Sequence, residues 1–142
     1  MKKLNQIEAR QSEWWIRSAW LIAFVLWFIW IGLEDRSSVT VLIMSAAPIL
    51  AAGITLYIRR VRRLPGPGAR RFGTILLLGL AGGLLVTPTA VVLMAVKIAL
   101  HNHALPEFTR GDVNRVLAST PAWTLGAFML GAAGALIDQM RS

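Results

Sequence analysis

The stretch Lys97-Ile-Ala-Leu-His101-Asn-His103, followed by Glu107, Arg110 and Asp112, holds the densest chemistry in this chain. Two imidazoles with carboxylates nearby could bind a divalent metal, and one imidazole alone could ligate a haem or a chlorin. The spacing weakens both ideas, because residues two apart diverge on a helix and converge only on a strand or loop. No cysteine is present, which removes thiolate metal sites, iron–sulfur clusters, disulfides and a cysteine nucleophile. There is also no H-E-x-x-H pair to mark a zinc peptidase. The expectation is therefore no metal and no cofactor. His101 and His103 read as part of a polar cap at a membrane surface, bonded to headgroups or to a partner protein.

Other catalytic arrangements fare no better. Ser45, Thr55, Thr87, Thr89 and Thr124 lie within apolar runs with no base to activate them, so an intramembrane hydrolase is not expected. Transport usually needs ionisable groups near the bilayer midplane, and no apolar run places Asp, Glu or His there. The expected chain is not an enzyme.

The elements that would position these residues are four apolar stretches. The chain has 142 residues, of which 56% are hydrophobic and 15% charged. Its mean hydropathy of +0.59 is too high for a soluble domain that must keep a polar surface. The expected fold is an all-α membrane protein of one domain, a four-transmembrane-helix bundle made of two antiparallel hairpins. Its spans should cover about 14–33, 39–58, 72–96 and 121–137, each close to the 20 residues that cross a hydrocarbon core. No small-x-small cleavage site follows Leu33, so the first stretch reads as a span and not as a removable signal. The polar residues before it either form a short amphipathic helix around Leu4 and Ile7 or fray.

Within the spans, Pro48 and Pro88 should kink the second and third, with Thr87 and Thr89 able to cover backbone groups that Pro88 leaves unpaired. Trp20, Phe24, Trp27 and Ile31 share one face of the first span, suited to lipid contact or helix packing. Twenty residues counted from Phe72 put Lys97 at or just past the far interface. In the last connection, Thr109-Arg-Gly-Asp112 resembles a capping box with Asp in place of Glu, and Val113, Val116 and Leu117 follow at helical spacing. A short interfacial helix is expected there, with Thr120 capping the last span and Pro121 at its first position.

Orientation comes from the basic residues. Arg59, Arg60, Arg62, Arg63, Arg70 and Arg71 crowd one loop around Pro65-Gly-Pro67-Gly. Together with Lys2, Lys3, Arg10, Arg17 and Arg141 they put eleven basic residues on one side, against Arg36, Lys97, Arg110 and Arg115 on the other. Basic loops stay in the cytoplasm, so both termini are expected there, in a bacterial plasma (inner) membrane. The net charge of +8 is thereby read as a topology signal, and nucleic acid is not expected as a partner.

Small residues supply the remaining signal. Gly79 and Gly83 in the third span, and Gly126, Ala127, Gly131, Gly134 and Ala135 in the fourth, form small-xxx-small runs that let helix backbones approach closely. Four short helices hardly need so many, so part of this surface should meet other integral membrane subunits, with membrane lipid around the rest. The expected role is a non-catalytic accessory or assembly subunit of a larger energy-transducing membrane complex. The alternative is a small oligomeric transporter or channel.

Overall fold

The computed structural model describes residues 2–33, 37–61, 64, 68–101 and 108–140. Among them every regular element is a helix: α1 Lys2–Gly32, α2 Ser38–Arg59, α3 Ala69–His101, α4 Arg110–Ala118 and α5 Thr120–Met140. Four segments are long and apolar enough to cross a membrane, namely Glu13–Gly32, Ser38–Arg59, Ala69–Leu100 and Arg110–Met140. The polar start of the chain is continuous with the first of these, because α1 runs unbroken for 31 residues. At 33 residues, α3 is about 50 Å long, well beyond a hydrocarbon core of about 30 Å.

Local signals set the helix ends. Ser37 caps α2, its hydroxyl accepting from the Thr40 amide at 3.4 Å. The capping box of α4 is complete: the Thr109 side chain accepts from the Asp112 amide, and Asp112 Oδ2 accepts from the Thr109 amide at 2.9 Å. The start of α5 differs from expectation. Because α4 continues to Ala118, the residue between the two helices is Ser119, whose carbonyl takes the Trp123 amide at 3.1 Å. Thr120 is thus already helical, and its hydroxyl turns back to the Leu117 carbonyl at 2.6 Å.

The long helices pack in chain order. Glu13 meets Arg59, Trp20 meets Thr55 and Trp27 meets Met44, so α1 and α2 run antiparallel. Arg71 meets Asp138, Gly83 meets Thr124 and Thr87 meets Thr120, so α3 and α5 do too. The most extensive packing is that between α3 and α5, while α2 joins α1 to α3. Among the described residues α1 and α5 share no comparable contact, nor do α2 and α5. The four helices therefore stand in a row. One apolar cluster, including Trp30, Val41, Leu93, Met94, Phe108 and Val116, fills the end beneath α4. A smaller one of Val61, Ile75 and Ala135 fills the end beside the arginine-rich loop.

Pro48 and Pro88 both lie inside continuous helices. Pro48 has no N–H, so the Met44 carbonyl four residues earlier loses its helical partner. The indole N–H of Trp27 donates to that carbonyl at 3.0 Å. One edge of the aromatic stripe on α1 thus repairs a defect in α2, and Trp20 donates to Thr55 Oγ1 at 3.0 Å on the same face. Phe24 instead is exposed and stacks on Phe28. We expect Trp27→Phe to cost about 1 kcal/mol, the usual size of an interhelical hydrogen bond in a membrane. In a Pro48→Ala background, where residue 48 regains its own N–H, most of that cost should vanish. A double-mutant cycle in unfolding free energy measures this directly; equal costs in both backgrounds would show that the indole bond contributes nothing.

Around Pro88 the hydroxyls act differently from the expectation. The Thr87 hydroxyl, fully buried, lies 2.8 Å from Thr120 Oγ1. Since the single Thr120 hydrogen goes to Leu117, Thr87 is the donor, and the relay ties α3 to the junction of α4 and α5.

Candidate functional site: an apolar groove with a polar end

The groove arises from unequal spacing within the row. A Cβ placed on Gly83 would lie 2.6 Å from Thr124 Cα, and one on Gly79 would lie 2.6 Å from the Ala127 carbonyl oxygen. Real side chains do not reach so close, so α3 and α5 touch backbone to backbone only because both positions are glycine. Between α2 and α3 the contact is looser, with Ile49 Cγ2 3.5 Å from a Cβ at Gly82. With α2 held off and α5 drawn in, α3 becomes the floor of a groove and the other two its walls.

The resulting cavity has a volume of about 1310 Å³. Its floor is one face of α3, Ile75, Gly79, Gly82 and Val86, at helical spacing. Ile49, Gly53 and Ile54 line the α2 wall, and Trp123, Gly126 and Leu130 the α5 wall. Gly53 and Gly126 have no neighbouring atom within 4 Å of where a Cβ would stand, so both face open space.

Charge enters the groove at the arginine-loop end. Arg71 Nη2 donates to Asp138 Oδ1 at 2.7 Å, and the Tyr57 hydroxyl donates to the same oxygen at 2.9 Å. The Arg71 and Asp138 side chains are only 17% and 13% exposed, so water screens the pair weakly. This clasp draws α2, α3 and α5 together and narrows the groove at that end. Arg71 Nε is buried there without a hydrogen-bond partner. Trp15 of α1 lies at the same mouth. The site is thus amphiphilic, apolar along its length and charged at one end.

No family model, curated protein or solved structure matches this chain. The site must therefore be read from its own residues.

The arginines singled out by sequence do not act as one patch. Arg59 makes a half-exposed pair with Glu13 at 3.4 Å, Arg60 and Arg70 are exposed, and Arg71 turns inward to the clasp. Arg62 and Arg63 lie outside the described residues. Of the small residues, Gly79, Gly83, Ala127 and Gly131 are spent in the α3–α5 seam. Ala135 is buried in the cluster with Ile75, and Gly134 sits at ordinary contact distance from Ile75 Cγ2. Gly126 alone among those seven opens to the groove with nothing nearby.

The histidine stretch is placed only in part. His101 ends α3, while its side chain and His103 lie outside the described residues. Among the described residues no three His, Cys, Asp or Glu side chains converge as a metal site would require. Lys97, expected at the surface, is fully buried in the protein. Its Nζ donates to the Leu33 carbonyl at 2.8 Å and sits 4.5 Å from the centre of the Trp30 ring. The physical reason is the unsatisfied C-terminal end of α1, whose carbonyls and partial negative charge favour a cation. The indole face adds a cation–π contact.

Sequence reasoning missed the clasp. Asp138 reads as the first residue of a polar tail, because the apolar run stops at Ile137. The available signal was a carboxylate just past one span and an arginine just before another, which meet if those spans run antiparallel.

Proposed function

We propose that the chain is a non-catalytic accessory or assembly subunit of a larger integral membrane complex, of the energy-transducing kind that commonly carries small polytopic subunits. That last step is by analogy. It would sit in a bacterial inner membrane as two antiparallel hairpins, with α4 at the far surface and both termini and the arginine loop in the cytoplasm. The eleven-to-four division of basic residues supports this orientation.

The observation that carries the reading is the free edge of that row. Alongside its packing on α3, α5 has only brief contact with α4 and the Tyr57–Asp138 bond to α2, and the segment containing it is the least covered of the four. Leu125, Met129, Ala133, Leu136 and Met140 form an exposed stripe on α5, a quarter turn from the groove. Mixed large and small apolar residues on an edge helix suit packing against another protein's helix.

Purification in a mild detergent followed by native mass spectrometry tests this. A stoichiometric larger partner should be recovered with the wild type, and Ala133→Trp on the stripe should reduce its recovery at least about tenfold without lowering the thermal stability of the chain itself. Recovery as a lone homo-oligomer, with substrate flux in proteoliposomes, would overturn the reading in favour of a small transporter or channel.

A further inference from the structure

We propose that the groove is a binding site for one anionic phospholipid, its acyl chains along α2, α3 and α5 and its phosphate against Arg71. This is independent of the accessory role and needs only that the chain lies in a membrane.

Three observations point to that occupant. The first is the sign of the charge at the mouth. Arg71 lines the groove there, and Arg59, Arg60 and Arg70 stand at the same ends of α2 and α3, against Glu13 and Asp138. Basic pockets between transmembrane helices are where acidic headgroups bind, and exposed arginines nearby add long-range attraction. The second is the unpartnered Arg71 Nε, buried at the lined end of the groove. Asp138 engages Nη2, which leaves donors of the same guanidinium for a phosphate oxygen. Trp15 at the mouth supplies the amphipathic ring that suits headgroup depth.

The third is shape. The walls are tied together at the charged end by the bond from Tyr57 to Asp138. A helix of about 10–12 Å diameter needs constant width along its whole length and would have to pass that tie. A lipid does not, because its chains end there and its headgroup turns toward the arginines. The open positions Gly53 and Gly126 widen the middle, where acyl chains would lie.

The test is native mass spectrometry of delipidated protein titrated with dioleoyl phosphatidylglycerol, dioleoyl phosphatidylcholine or glycerol phosphate. We expect one phosphatidylglycerol bound at least about tenfold tighter than phosphatidylcholine, whose equally anionic phosphate carries a choline cation that the arginines repel, and no retention of glycerol phosphate. Arg71→Gln should abolish the preference and Arg71→Lys should keep part of it. Gly126→Leu, whose Cβ would have no neighbour within 4 Å, should weaken both lipids by filling the groove. Equal binding of the two lipids to the wild type would overturn the proposal. So would a preference that survives both Arg71→Gln and Gly126→Leu, since the headgroup would then be held on the exposed arginines. Retention of glycerol phosphate as strong as that of the lipid would overturn it by showing an anion site without chain recognition.

Discussion

Gly83→Ala should destabilise the protein by about 1–3 kcal/mol, the cost of forcing a methyl into a filled core. In an unpacked helix interior the same exchange stabilises by about 1 kcal/mol, because alanine is the better helix former. The sign reverses here because the new Cβ would lie 2.6 Å from Thr124 Cα and 2.7 Å from the Trp123 carbonyl oxygen. Both are backbone atoms of α5, so no side chain can swing aside, and the helices must separate. Separation would loosen the most extensive interface in the molecule. Gly126→Ala provides the contrast, since its Cβ meets nothing within 4 Å, and it should be neutral or stabilising. Equilibrium unfolding in mixed micelles reads both values. If the two glycines respond alike, the tight α3–α5 seam is wrong.

Asp138→Ala should be comparably severe, at about 2–4 kcal/mol. Removing one partner from a buried ion pair leaves the other charge unpaired, which costs about 3–5 kcal/mol when burial is complete. The slight exposure of both side chains lowers the figure. The Tyr57 hydroxyl loses its acceptor in the same change. Replacing both charges, as Arg71→Leu with Asp138→Leu, should recover much of the loss, because neither desolvated charge remains. The single variant should also let α2 and α5 part at the clasp. The natural sequence has no cysteine, so spin labels at Arg60→Cys and Met140→Cys report that separation without background. An unchanged label distance in Asp138→Ala would show that the clasp does not hold the walls together.

Sequence made the long apolar helices and the Thr109–Asp112 capping box legible, because both depend on residues close together in the chain. Other features depend on which helix faces which. That Pro48 frees the Met44 carbonyl follows from the helix rule alone, but Trp27 becomes its donor only through the register of α1 against α2. Gly79, Gly83, Gly126 and Gly131 look equivalent in sequence; three are consumed in the seam and one is open. Counting residues placed Lys97 by depth, and depth cannot foresee that the end of α1 would fold over it. The groove itself was illegible, since it is the space left by a tight interface beside a loose one.

The row of helices carries a consequence for how the protein is made. Domains generally form from the N-terminus during synthesis, and each helix here packs on one that precedes it in the chain. As α2 leaves the ribosome it finds α1 in place, α3 then finds α2, and α5 finds α3. Some polar groups do wait for a later partner: the Tyr57 hydroxyl of α2 meets Asp138 only once α5 is made. The Leu33 carbonyl at the end of α1 is met by a lysine made 64 residues later, so the first helix is finished only when the third has been inserted.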